Sequence, residues 1–169
     1  MKDKIVSIAK ELLPYIIIII VVFGIKTYIA TPVLVDGSSM SPTLSDKQFL
    51  ILNRSTKKLN RNDIVVFEYD NSKLIKRIIA LPGETIEYKD GILYINDRKY
   101  DDKFASITEN FDLTNFGIQK LPENSYFLLG DNRNNSIDSR IIGPVNIEKI
   151  NGKVVFSLYP FNTFGKIEK

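Results

Sequence analysis

The chain has 169 residues, 23 lysines and arginines against 20 aspartates and glutamates, a formal charge of +3, and no cysteine or histidine. Without cysteine there are no disulfides, thiolate nucleophiles or thiolate metal sites, and without histidine the usual base of serine hydrolases and the commonest metal ligand are missing. Opposite charges are interspersed, with no run of like charge longer than a pair such as Lys57-Lys58, so nucleic acid is not the expected partner.

Residues Leu12 to Ile25 read LLPYIIIIIVVFGI and carry no charge, which is too apolar for a helix of a small soluble body. As a helix these residues rise about 21 Å, and continuing to Ala30 with Lys26 snorkelling brings the length to that of a bilayer core. Lys2, Lys4 and Lys10 precede the run and only Lys26 follows closely, which puts the N-terminus in the cytoplasm. The expected organisation is a cytoplasmic N-terminus over 1–11, a transmembrane anchor over 12–30 and an extracytoplasmic β-rich body over 31–169. A cleaved secretory signal and a core helix are the competing readings. Cleavage after Ala30 would leave bulky Tyr28 where a small residue is wanted, and five consecutive isoleucines disfavour a core helix.

Next comes Val35 to Leu44, VDGSSMSPTL. A serine in a tight glycine- and proline-bounded turn exposes its hydroxyl and leaves backbone N–H groups free to meet an oxyanion. The same residues also suit an ordinary surface turn.

Beyond this the pattern is one of short β-type runs. Strands are predicted over Gln48 to Asn53, Ile64 to Tyr69, Lys73 to Leu81, Thr85 to Lys89, Ile92 to Asn96, Tyr126 to Gly130 and Lys153 to Leu158, giving a mainly β, antiparallel body. The third of these, KLIKRIIAL, places Lys76 and Arg77 inside an apolar run. Alternation puts them on opposite faces, so one of the two is expected against the core. A lysine working as a base near neutrality needs a pKa about 2 to 3 below its usual value near 10.4, a change worth roughly 3 to 4 kcal/mol that burial can supply. A gatekeeper lysine pointing to water is the alternative. Pro82-Gly83 suits a type II turn and Asp90-Gly91 a type I′ hairpin turn. Asp101 to Pro122 shows no clear period and carries Phe104, Phe111 and Phe116, an excursion between strands. Gly130 to Arg140, GDNRNNSIDSR, holds more hydrogen-bonding side chains than a turn needs. It can orient a neutral amine and tie itself down through Asp–Arg pairs; a solvated asparagine-rich loop is the plain alternative. The tail Tyr159-Pro160-Phe161 with Phe164 suits either a membrane interface or packing under the sheet.

Ser39-Met40 followed by Pro42-Thr43-Leu44, the run Asn62 to Phe67, Lys76-Arg77 before Leu81-Pro82-Gly83-Glu84, and the loop Gly130 to Arg140 occur in one order behind an N-terminal apolar run. Together they resemble the type I bacterial signal peptidases, in their short, single-anchor form, over nearly the whole chain. The resemblance implies a membrane-anchored serine endopeptidase that removes signal peptides from secretory preproteins with small residues at positions −1 and −3, without a cofactor or metal. It implies Ser39 as nucleophile, Lys76 as general base, Ser136 hydrogen-bonded to the lysine amine, Asp138 and Arg140 as braces, and Met40 lining the surroundings of the dyad. The Ser39 N–H would supply part of the oxyanion hole. Some relatives carry a serine as second donor two positions earlier, where this chain has Gly37. The chain also has Asn134 after Arg133, where the family usually has aspartate. Two rival readings remain. A serine–lysine autoprotease of the SOS-repressor type would need a DNA-binding domain in place of the apolar N-terminus. A non-catalytic membrane-tethered binding module on the same fold would have no use for a desolvated amine beside a hydroxyl.

Overall fold

The computed structural model describes residues 2–28, 30–54, 58–104 and 108–167, and within them the side chains of 2–9, 23, 25–28 and 30 are not among those described. In chain order the elements are α1 (Lys2–Tyr28), β1 (Ala30–Leu34), β2 (Phe49–Asn53), β3 (Ile64–Tyr69), β4 (Ser72–Ala80), β5 (Ile86–Lys89), β6 (Ile92–Ile95), β7 (Arg98–Tyr100), β8 (Phe111–Asp112), β9 (Ser125–Leu129), α2 (Ser139–Ile142), β10 (Val145–Asn146), β11 (Ile150–Tyr159) and β12 (Gly165–Lys166). Helix α1 takes in the expected anchor as far as Tyr28 and begins ten positions before it, at Lys2; residue 29 lies outside the described residues. Leu12, Leu13 and Ile16 to Val22 expose their side chains. Among the described residues no helix is long and apolar enough to cross a membrane.

The body is β-rich and its strand pairs are antiparallel. An eight-stranded sheet runs β1-β2-β11-β3-β4-β9-β10, with β12 on β11, and a four-stranded sheet runs β7-β6-β5-β8. Tight two-residue turns set the hairpin registers. Asp70-Asn71, Asp90-Gly91 and Asn96-Asp97 all have both residues at positive φ, the mirror-image turn whose twist matches the flanking strands. Gly83 takes φ +77°, as the turn after Leu81 requires.

Strand β4 lies inside the larger sheet, with Ile64 opposite Arg77 and Val65 opposite Lys76 on one side and Leu129 opposite Arg77 on the other. Both basic residues are buried, Lys76 to 2% and Arg77 to 0% exposure. Alternation anticipated only one against the core; a strand with partners on both edges and packing on both faces gives neither side chain an outlet. One apolar cluster, Val35, Met40, Leu44, Leu50, Leu52, Ile64, Val66, Ile75 and Val154, lies under the turn that follows β1. A second joins Ile79 and Ala80 at the end of β4 to Tyr88, Leu93 and Phe111 of the smaller sheet and Phe127 of β9.

Candidate active site

The turn between β1 and β2 is fastened by its apolar residues. Val35, Met40 and Leu44 are buried to 3%, 1% and 1%, and pinning the turn at three points leaves Ser38 and Ser39 to face outward between them. The Ser38 carbonyl accepts from Ser41 N at 3.0 Å and the Met40 carbonyl from Leu44 N at 2.9 Å. Gly37 adopts φ +93°, and its N–H donates to Asp46 Oδ1 at 2.7 Å. That bond holds the Asp46 carboxyl below its ordinary range. It also commits the Gly37 amide to Asp46. The Ser39 N–H has no acceptor among the described residues.

From β4 the Lys76 amine reaches across and donates to Ser39 Oγ at 2.7 Å and to the Ile75 carbonyl at 3.0 Å. Burial lowers its pKa to about 8, against the opposing pull of Asp138 and Asp131, whose negative charges favour the ammonium. Desolvation of a cation outweighs two carboxylates here because neither touches the amine directly.

The loop after β9 closes the site from behind, and its strand end must come very close. A Cβ at Gly130 would stand 2.5 Å from the Ser39 carbonyl oxygen and 2.2 Å from Ser136 Oγ, so only glycine fits. Asn132 N donates to Ser39 O at 3.0 Å, and Asn132 and Asn135 side chains donate to Ser38 O at 3.2 Å and Ser38 Oγ at 3.0 Å. Asp138, fully buried, caps α2 and accepts from Gly130 N at 3.1 Å and from Arg140 Nε and Nη2, both at 2.9 Å. Arg140 also donates to the Arg133 carbonyl at 2.7 Å. Ser136 departs from expectation. Its Oγ packs over Gly130 and is buried without a hydrogen-bond partner among the described residues, while the Lys76 amine donates to Ser39 and Ile75.

Several residues that lie in the sequence motifs were given no role there. Arg77 forms a fork with Asp131, at 2.9 Å from Nε and 2.7 Å from Nη2, with both side chains fully buried. Thr43 donates to the same carboxylate, and Ser139 Oγ accepts from Leu128 N at 2.9 Å. The loop was expected to tie itself down through its own Asp–Arg pairs, yet Asp131 reaches to β4. The arginine beside Lys76 in the strand motif was the signal for it.

A cleft of about 360 Å³ opens beside the serine. Val33, Leu34, Val35, Met40, Leu52, Val66, Leu74 and Ile75 supply its apolar wall, Ser39 and Lys76 lie in it, and Arg54, Lys73 and Asn151 also line it. A hydroxyl beside a desolvated amine, next to a free backbone N–H and a cleft with an apolar wall, is equipped for acyl transfer.

Comparison with known proteins agrees with that chemistry. The family model described as signal peptidase, peptidase S26 matches residues 8–159. Signal peptidase I S of Bacillus subtilis is 39% identical over 98% of this chain and 99% of its own length. Signal peptidase IB of Staphylococcus aureus is 36% identical over 92% and 93%. A crystal structure of a signal peptidase I from Enterococcus faecalis matches 59% of this chain and 98% of that one, with a TM-score of 0.54 and 36% identity.

Proposed function

The chain belongs to the signal peptidase family, peptidase S26, and from that premise we propose that it is a serine endopeptidase removing signal peptides from secretory preproteins, with Ser39 as nucleophile and Lys76 as general base. The observation that carries the assignment is the 2.7 Å contact between a buried lysine amine and the serine hydroxyl. With a pKa of about 8, about one Lys76 in ten is neutral at pH 7, against about one in 3,000 for an ordinary lysine. The neutral amine takes the Ser39 proton as Oγ attacks the scissile carbonyl. The tetrahedral oxyanion faces the Ser39 N–H, and as it collapses the protonated Lys76 gives its proton to the leaving nitrogen, which releases the new amine, leaves an acyl-enzyme and returns the lysine to its neutral form. Water that gives a proton to the same lysine then hydrolyses the ester. Asp138, Arg140 and the Arg77–Asp131 pair hold the loop that supports Ser39, and Met40 keeps the amine's surroundings apolar.

The apolar wall of the cleft fits small side chains at −1 and −3 of the substrate. Helix α1 is the anchor, with the segment up to residue 11 cytoplasmic, its helical residues from Leu12 to Tyr28 in the bilayer and the body from β1 onward outside; the expected end of the anchor at Ala30 is moved back because Ala30 opens β1 opposite Asn53. The charge-free run Leu12 to Ile25 and the exposed side chains of Ile16 to Val22 support this. Sharing a membrane with the substrate raises the effective concentration of a protease that reads little sequence. Incubating the purified chain with a preprotein ending its signal in Ala-X-Ala tests the reaction. Cleavage is expected, and its loss in Ser39→Ala and Lys76→Ala, which stay folded, and in Lys76→Arg, whose guanidinium keeps its proton at working pH. Turnover retained by any of the three, or binding by the parent chain without cleavage, overturns the assignment. Alkaline extraction of membranes tests the anchor, which fails if the protein is released.

A further inference from the structure

Four side chains outside the cleft converge on the two arginines that carry the loop of residues 130–140. Phe104 lies with its ring centroid 3.5 Å from the Arg77 guanidinium carbon. Asp102 pairs with Arg133 at 2.7 Å, with Arg133 fully buried and Asp102 nearly so. Thr108, buried to 2%, accepts from Arg133 Nη1 at 2.9 Å. Tyr88 of the smaller sheet accepts from the same nitrogen at 2.6 Å and donates to Asp102.

The charges explain why these contacts matter. The loop brings two carboxylates and two guanidiniums into the interior. Asp138 is balanced by Arg140 within the loop and Asp131 by Arg77 from β4. Among the described residues Arg133 finds its carboxylate only on Asp102, and a buried cation without one is unstable. The balanced Arg133 donates from Nε to the Gly130 carbonyl at 2.9 Å. Gly130 in turn sits against Ser39 O and donates its N–H to Asp138. A continuous chain of contacts therefore runs from Asp102 through Arg133 and Gly130 to the serine turn.

Resting on the catalytic reading above, we propose that Asp102 and Phe104, assisted by Thr108, are positioning residues for the reaction. They set the seat of Ser39 against Lys76 by holding Arg133 and Arg77, and touch no substrate: none of the three lines the cleft. The 101–122 excursion is then part of the catalytic apparatus rather than a connection between strands.

The test uses the full chain in detergent micelles with the variants Asp102→Asn, Phe104→Leu and, as a milder change, Tyr88→Phe. Turnover is counted per folded molecule, alongside amide hydrogen exchange. Asp102→Asn and Phe104→Leu are expected to lower kcat at least tenfold with KM within twofold, and Tyr88→Phe by less. The Gly130 and Asn132 amides, bonded to Asp138 and to Ser39 O, are expected to exchange at least tenfold faster. A purely structural role would cost folded protein but leave kcat per folded molecule and the KM split unchanged, and that result overturns the proposal. If the parent chain cleaves no preprotein, the catalytic reading fails. The exchange rates then decide the clamp by themselves, and unchanged rates at Gly130 and Asn132 refute it.

Discussion

Replacing Lys76 by methionine, close in volume and uncharged, removes the group whose burial is unfavourable and should leave a signature in stability as well as activity. In the folded protein the Lys76 pKa is lowered to about 8, whereas the unfolded chain holds it near the usual value of roughly 10.4. The unfolded state therefore binds more protons between these values, so stability rises with pH there. Well below pH 8 the ammonium is charged in both states and its burial costs about 3 kcal/mol. As pH climbs past 8 the folded state gives up its proton and the cost falls. Between pH 6.5 and 9.5 the parent should gain about 2 kcal/mol relative to Lys76→Met. Urea unfolding of both proteins in the same micelles, followed by circular dichroism at several pH values, measures the difference directly. Parallel stability curves across that range would refute the claim that this lysine is desolvated.

Three further outcomes follow from the geometry. Gly130→Ala places a Cβ 2.5 Å from the Ser39 carbonyl and should lower kcat by about two orders of magnitude, the scale of misplacing a reacting group by about 1 Å; rates near the parent's would contradict the close approach. Arg77→Met leaves Asp131 buried and unpaired and should cost about 3 to 5 kcal/mol in urea unfolding, while adding Asp131→Leu should recover much of it. The acid limb of kcat/KM should rise with pH to a midpoint near 8, because the free enzyme needs Lys76 neutral; a midpoint below 7 would point to another base.

The body's β class was legible because its strands obey local rules. Ile64–Tyr69 coincides with β3, and Asp90-Gly91 makes the mirror-image turn that its residue types demand. Strand β1 went unseen because Ala30 to Leu34 continues an apolar run and contains Pro32, tolerated because β1 stands at the end of the sheet next to β2. Strand β11 begins three residues before the expected Lys153, since Gly152 sits at a bulge against β3 and hides the alternation. The neighbourhood of Ser39 and Lys76 could be named from motif order, but the roles of Asp102 and Phe104 could not. Their partners lie far along the chain, and nothing in the pattern around them marks a contact with a buried arginine. Ser136 shows the opposite limit: a motif position can be right while its hydroxyl packs over a glycine instead of reaching the amine.

The most direct measurement is an NMR titration of the Lys76 side chain in protein labelled at lysine Cε and Nζ, with Lys76→Met assigning the signal. A midpoint near 8 is expected, from an amine deprived of water and held against Ser39 Oγ. A midpoint above 10, that of an ordinary hydrated ammonium, would contradict the account.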